Sequence, residues 1–498
     1  MDEEQQQEAA KDLISDLPDA ILHLILSLIP IKSVITASLI SKRWRGISAD
    51  HLEYAIILDF GEEFAKHQTP NEFSENLNRI LIINKSDKID KFKLLFSPRN
   101  EEHKSKAISW IRFATYRGVK EIDLDFCRQI HIHFLSKTHV VNKKEAFELP
   151  DFFFDSSTLI TVKLRRCILS LPEKYTGFGG VKTLCLKEVH VTDSMLESLL
   201  CTCTLLEVLV LKECGSLSSI RILSSSRLQR LTVYECYNAS ILEISGPNIQ
   251  SLFISAGHLD SCKVEDMLVL EEVFIGTRGD EFGGVFYIFM KILSDLAHVR
   301  SLTLYLGHLV PSLIKDFQVK FSNLKELQLV NSPLFGLFNS DVYCFFKHCS
   351  CPSLQTISIE LSNVAQEENF IWEYRKPNIT LVECVFNNLR TVKLCKFRGT
   401  SSDIELAAYF LQRAPILESM ILVSPQSLNV KPLTVTKEDV SCSTSKGNET
   451  LMQKAIYEML RHHPKASEIA EIRVCDSDER DSLLSFFRRH HVSDVYNK

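Results

Sequence analysis

The sequence predicts an α/β chain, a short helical module at the N-terminus followed by a solenoid of stacked parallel strands. Three observations lead there. A run from Leu17 to Pro30 is apolar around nearly the whole circumference of a helix. A short unit of alternating apolar residues recurs from about residue 119 onward. The length, 498 residues, exceeds what one ordinary core covers, so an elongated repeat or several domains is expected.

Residues 1–12 form a polar tail, acidic at Asp2-Glu3-Glu4 where a secretory leader would be basic. The helical module follows over residues 13–50. Asp16 is placed to cap its first helix, Pro18 suits the first turn, where a missing N–H costs nothing, and Pro30 ends the run. Ile21, Leu24, Ile25 and Leu28 lie at i, i+3, i+4 and i+7, while Leu22, Leu26 and Ile29 fill the remaining faces. A segment of this size cannot cover both sides itself, so the surplus surface must meet the rest of the chain or another protein. Ala20 to Ile40 is long enough to span a bilayer, but His23 and Lys32 would sit in hydrocarbon and Pro30 breaks the helix midway.

Leu17-Pro18-Asp19, Ile25-Leu26-Ser27-Leu28-Ile29-Pro30 and Ser38-Leu39-Ile40-Ser41-Lys42-Arg43-Trp44-Arg45 together resemble the F-box. That resemblance implies a small helical bundle that binds the SKP-type adaptor of a cullin-based ubiquitin ligase. It implies adaptor contacts at Leu17, Pro18, Ile21, Ile25, Leu28 and Trp44, some of which could equally fill the bundle's own core.

Residues 51–118 are weakly patterned and are expected to link the module to the solenoid and cap its open end. Leu52 to Asp59 and Phe92 to Phe96 read as strands, and Lys106 to Tyr116 as an amphipathic helix.

Over residues 119–387 the unit is clearest at Val119-x-x-Ile122-x-Leu124-x-x-Cys127, Leu159-x-x-Val162-x-Leu164-x-x-Cys167, Leu206-x-x-Leu209-x-Leu211-x-x-Cys214 and Leu228-x-x-Leu231-x-Val233-x-x-Cys236. This is the leucine-rich-repeat pattern. Weaker copies begin at Val181, Ile249, Leu270, Val299, Leu324, Leu354, Leu389 and Leu417. One strand and its return segment cannot bury their own apolar side, whereas stacked copies share a core and expose a ladder of parallel strands on a concave face. Gly246-Pro247, Cys351-Pro352 and Ala414-Pro415 read as the turns that deliver the chain to its strands.

The chain has 15 Cys, an odd number without a recognisable secretory signal, which points to a reducing compartment, cytoplasm or nucleus, rather than a disulfide framework. Cys127, Cys167, Cys214 and Cys236 share one repeat position, a packing role. Cys201-x-Cys203 and Cys349-x-Cys351 lack a second ligand pair at zinc spacing, and His462-His463 and His490-His491 cannot face one site from a helix, so no metal or cofactor is expected. Gly177-Phe-Gly179-Gly180 precedes a strand, which is the wrong place for a phosphate loop.

In the region 388–475, Leu389-Arg-Thr-Val392-Lys-Leu394, Glu405-Leu406-Ala-Ala-Tyr409-Phe410-Leu411 and Ala414-Pro415-Ile416-Leu417-Glu418 resemble the FBD region that follows the repeats in many plant F-box proteins. Physically this is a strand, a helix and another strand, continuing the solenoid. A mobile loop is expected at about 430–450, a helix from Leu451 to Leu460, and a tail over 476–498 with helical character from Asp481 to Arg489.

Net charge is −6 and the pI about 6.3, with Lys and Arg scattered, so no global field draws the chain to nucleic acid. The F-box resemblance implies a non-catalytic substrate-recognition subunit of an SKP–cullin–F-box ubiquitin ligase. Such a subunit supplies proximity rather than chemistry. A target protein is expected on the concave face at Arg230, Tyr234, Phe253, Phe274 and Tyr305, with Lys212 and Glu326 on the same surface. The alternatives are a small-molecule receptor of the same architecture and a non-catalytic interaction scaffold.

Overall fold

The structure, a computed structural model, describes residues 14, 17–126, 146–223, 227–257, 259–277, 291–305, 318–330, 339–361, 384–424 and 451–476. It divides into two compact units, Met1–Val191 with Thr202–Leu206, and Thr192–Cys201 with Glu207–Lys498.

The first unit opens with three helices, α1 (Asp19–Ser27), α2 (Ile31–Ala37) and α3 (Lys42–Glu53). Pro18 and Pro30 occupy the N-cap positions of α1 and α2, so each proline starts a helix with its fixed φ and neither supplies a side-chain cap. The expected cap, Asp16, lies outside the described residues. Ser41 caps α3, its hydroxyl accepting from the Trp44 amide at 3.2 Å. α1 and α2 both pack on α3. Leu22 and Leu26 of α1, Val34 of α2, and Trp44 and Ile47 of α3 form their common core.

The chain then enters a parallel sheet. Strand β1 (Ile57–Phe60) leads to the one-turn helix α4 (Glu62–Ala65) and to α5 (Pro70–Ile83), then β2 (Lys91–Leu95), α6 (Glu101–Tyr116) and β3 (Glu121–Asp125). β1 pairs with β2, β2 with β3, β3 with the strand Thr161–Arg165, and that strand with Thr183–Lys187, all in parallel. α2 and α4 pack against β1, which covers an otherwise open sheet edge.

The strand expected from Leu52 starts only at Ile57. Trp44, Ile47, Ser48 and Leu52 keep helical spacing on the buried side of α3, and that burial carries the helix through Glu53. The helix expected from Lys106 begins at Glu101, because the Asn100 side chain accepts from the His103 amide at 2.8 Å. α5 went unread in the sequence, although Thr69 and Glu72 form a capping box that marks its start. Residues 51–118 thus contribute two strands to the sheet itself.

In the second unit ten strands run parallel, Val208–Lys212, Arg230–Tyr234, Ser251–Ala256, Glu272–Thr277, Ser301–Tyr305, Glu326–Val330, Thr356–Glu360, Thr391–Cys395, Ser419–Ser424 and Glu471–Asp476. Every repeat copy read in the sequence begins its strand two residues after its first apolar position, as Leu228 does for Arg230 and Leu417 for Ser419. Leu209 and Leu211, Leu231 and Val233, and their successors through Met420 and Leu422 point inward and are at most 2% exposed, while Ile472 of the last strand is 8% exposed. Each such side chain contributes about 1.5–3 kcal/mol of burial. Three return segments, Ser219–Ile222, Ile241–Ser245 and Ser261–Glu265, form a smaller parallel sheet of their own.

The residue just past several strands has a left-handed backbone, with φ of 56° at Arg166, 55° at Glu213, 53° at Glu235 and 59° at Lys396. This turns the chain out of the sheet. The cysteine that follows in three of these repeats is buried, and the Cys214 thiol donates to the Lys212 carbonyl at 3.5 Å, Cys236 to Leu211 at 3.8 Å. The shared cysteine position therefore satisfies carbonyls that the turn leaves behind. Cys127 of the first copy lies outside the described residues, as do the loop expected at 430–450 and the segment from Asp481 to Arg489. The helix read from Leu451 is present as Leu451–Arg461. Among the described residues no helix is long and apolar enough to cross a membrane.

Candidate protein-interaction surfaces

Two surfaces lie outside the core built by the N-terminal bundle and the inward leucines. The first is the outer side of the N-terminal helices. The core takes Leu22 and Leu26 of α1, which leaves Ile21 at 42%, Leu24 at 58% and Leu28 at 79% exposed. Pro18 is exposed, and Leu17 and Ile25 are half-buried. Ile14 at 57%, Leu39 at 75% and Ile40 at 64% add to this apolar exposure. Leu39 and Ile40 were missed in the sequence. Their signal was position, between the end of one helix and the Ser41 cap of the next, where a turn cannot bury them.

Trp44 is a correction. It was expected among the adaptor contacts, yet it is only 6% exposed, because the helical spacing that continues to Ile47, Ser48 and Leu52 turns it into the bundle.

Arg43 is a residue whose role the sequence reading did not identify. Its guanidinium pairs with Asp19 at 2.6 Å and donates to the Leu17 carbonyl, tying the chain entering α1 to α3. It thereby fixes the direction in which Leu17 and Pro18 are presented. His23 and His51 bring their rings to 6.2 Å between the same two helices. Burial, and then the neighbouring His23, hold His51 below the ordinary imidazole value.

The second surface is the sheet face opposite the inward leucines, and its character differs between the units. In the first unit Asp59, Lys93, Asp123 and Lys163 stand side by side in register on successive strands. Ion pairs run within the rows, Lys91 to Glu121 at 3.0 Å and Lys93 to Asp59 at 3.9 Å, and between them, Lys163 to Glu121 at 3.7 Å. Arg166 meets the nearly buried Asp125 through both carboxylate oxygens. Burial raises the Asp123 carboxyl above the usual carboxylate range, against the pull of Arg165, Lys163 and Lys93.

In the second unit the corresponding row reads Val210, Thr232, Phe253, Phe274, Thr303, Gln328 and Ser358, with no charge until Lys393. Phe253 and Phe274 stack at 3.9 Å with 2° between their planes, and Tyr234 packs against them. Lys212 places its ammonium 4.7 Å over the Tyr234 ring.

Two of the expected target contacts are thus corrected. Phe253 is 4% and Phe274 1% exposed, because register-matched rings on adjacent parallel strands sit close enough to cover one another. Tyr234 is half-buried one row above, paired with Ser255, so these aromatics do not form the single line that was expected. Arg230 is exposed at the start of its strand, Glu326 is half-buried and Lys212 is buried. The side chain of Tyr305 lies outside the described residues.

Burial pushes the thiols of Cys203, Cys262 and Cys349 up to about 12. Among the described residues no three metal-ligating side chains come together.

Comparison with known families agrees with the two-part reading of the chain. Residues 81–467 match the family model described as At1g61320/AtMIF1, LRR domain, and residues 14–55 match the F-box domain. The chain is 23% identical over 445 residues to the FBD-associated F-box protein At5g22730 of Arabidopsis thaliana, covering 83% of this chain and 88% of the relative. It is 26% identical to the putative FBD-associated F-box protein At1g61330 of the same plant, covering 83% and 92%. Over 310 residues it is 28% identical to the putative F-box/LRR-repeat protein At3g18150, covering 59% and 60%.

Proposed function

The chain belongs to the plant F-box, leucine-rich-repeat and FBD family, and from that premise we propose that it is the substrate-recognition subunit of an SKP–cullin–F-box ubiquitin ligase. At the coarser level it is a protein-interaction adaptor. The observation that carries the finer reading is the apolar exposure of Pro18, Ile21, Leu24, Leu28, Leu39 and Ile40 on one small helical bundle. A bundle with a complete core gains nothing from these side chains in isolation, whereas each Leu or Ile buried against a partner contributes about 1.5–3 kcal/mol.

In this reading α1 and the turn before α3 dock on an SKP-type adaptor, with Arg43 as the positioning residue for Leu17 and Pro18. The repeats hold a target protein, and the chain performs no bond chemistry. Its contribution is the effective concentration of target lysines at a ubiquitin thioester carried elsewhere in the assembly.

The test is co-purification of the full chain with an SKP-type adaptor. Ile21→Asp with Leu28→Asp is expected to weaken capture more than about tenfold, as loss of central apolar contacts does. Because both positions face solvent in the free chain, its thermal melt should not change. Equal capture by the variant and the parent would overturn the proposal.

A further inference from the structure

The helix Ser401–Arg413 carries an arrangement that the ligase reading does not use. Thr400 caps it in a capping box with Asp403, which fixes its start, and the buried Leu406, Phe410 and Leu411 set the side it turns inward. Ile404, Ala408 and Gln412 form one stripe and Glu405, Tyr409 and Arg413 the next, each at i, i+4 and i+8, and both stripes line a cleft of about 560 Å³. Met459 and His463 form the facing wall, on and just beyond the helix Leu451–Arg461. Gly399 holds the two walls close. Its φ is +74°, and a Cβ there would meet Ile456 Cγ1 at 3.1 Å.

The cleft is apolar in its middle and charged at its ends. Glu405 is exposed at one end, and the half-buried Arg413 lies at the other with its guanidinium 4.6 Å over the Tyr409 ring. Among the described residues neither has an ion-pair partner. Eight residues of helix separate the two charges by about 12 Å. An extended chain at roughly 3.3–3.6 Å per residue covers that distance in three or four steps. A helical ligand would need about eight residues to join the same two charges, twice the length of an extended one.

We propose that this cleft binds a short extended peptide segment of a partner protein. A basic side chain is set against Glu405, an acidic one against Arg413, and small apolar residues lie on Ile404, Ala408 and Met459. The inference is independent of adaptor binding, and its test needs no other ligase component.

The probes are three end-capped, fluorescein-labelled pentapeptides with valine at the centre and, as first and last residues, lysine with aspartate, two lysines, or two aspartates. Fluorescence polarisation with the full chain is expected to rank the mixed-charge probe about threefold or more above the others, the range of partly exposed ion pairs. Glu405→Lys should make the two-aspartate probe the tightest, and Arg413→Glu the two-lysine probe. A misfolded variant cannot exchange one preference for another, so this pair keeps the test decisive. Ala408→Trp fills the cleft and should remove binding of all three.

The proposal is overturned if charge reversal leaves the ranking unchanged, or if a chain with an intact thermal melt binds none of the probes. It is also overturned if decanoate, which has no cationic end, competes for the site and depends on Arg413 alone. That result would assign the cleft to an acidic amphiphile.

Discussion

The sheet strands of the two units share one inward pattern and differ on the outward face. Inward, Ile122 and Leu124 of the first unit and Leu231 and Val233 of the second are interchangeable in kind, all at most 2% exposed. Outward, the first unit sets Asp59, Lys93, Asp123 and Lys163 in an alternating row, while the second sets Val210, Thr232, Phe253 and Phe274. Alternation of side chains lets a strand satisfy its core with every second residue and leaves the others to different tasks. The first face is held by ion pairs, whose exposed members lose strength as salt screens them. The second is held by apolar packing, and it carries the buried oxygens of Thr303 and Gln328, which have no hydrogen-bond partner among the described residues. Such atoms cost stability, so the uncharged row is not simply the more stable design.

The largest way to break this comparison is Phe274→Ala. The ring is 1% exposed and stacked on Phe253, so its removal opens a cavity that its neighbours on the strands cannot fill. A loss of about 3–4 kcal/mol is expected from urea denaturation, with hydrogen exchange accelerating first in 251–256 and 272–277. An exposed binding aromatic would cost less than about 0.5 kcal/mol on the same substitution, so this measurement separates a packing role from a contact role.

The difference between the faces also marks what could be read in advance. The inward leucines were legible because their spacing is periodic, and each strand began at a fixed offset from them, Leu389 leading to Thr391 as Leu206 leads to Val208. The strand β1 was legible only at its end, since Leu52 serves α3 and no local signal distinguishes the two uses. The charge ladder was not legible. Asp59, Lys93, Asp123 and Lys163 are widely separated in sequence, and only the register brings them side by side. The burial of Phe253 and Phe274 escaped for the same reason, because a phenylalanine flanked by inward residues reads as exposed until its neighbour on the next strand is known. At the N-terminal helices the seven apolar residues of α1 and its flank were legible as a surplus. Which of them face solvent was decided by α3, where Trp44 fills the core it was expected to leave.

A smaller effect is expected from breaking the charged face where it is tightest. Arg166→Gln removes the bidentate partner of Asp125, a carboxylate only 7% exposed, and leaves Arg165 at 3.6 Å as its nearest cation. Glutamine is as non-glycine as arginine at φ 56°, so backbone strain is unchanged and the loss reports the ion pair. About 2 kcal/mol is expected, because a nearly buried carboxylate is left underpaired. The loss should persist at 0.5 M salt, whereas cutting the more exposed Lys91 to Glu121 pair should cost little at any salt.

The smallest effect concerns the sign of a single charge. Asp123 has a folded-state value above the 3.8 of a free carboxyl, chiefly through burial, with Arg165, Lys163 and Lys93 pulling the other way and Asp125 adding to the rise. Between 3.8 and the raised value the folded chain binds more protons than the unfolded one, so this group's contribution to stability falls as pH rises through that window and stays low above it. Asp123→Asn removes the titration, so its stability should decline less than the parent's as pH rises from about 4 to 7, by urea midpoints at matched ionic strength. An unchanged slope would mean that the three cations already offset the burial of this carboxylate, and the ladder of the first unit would then be balanced at every rung.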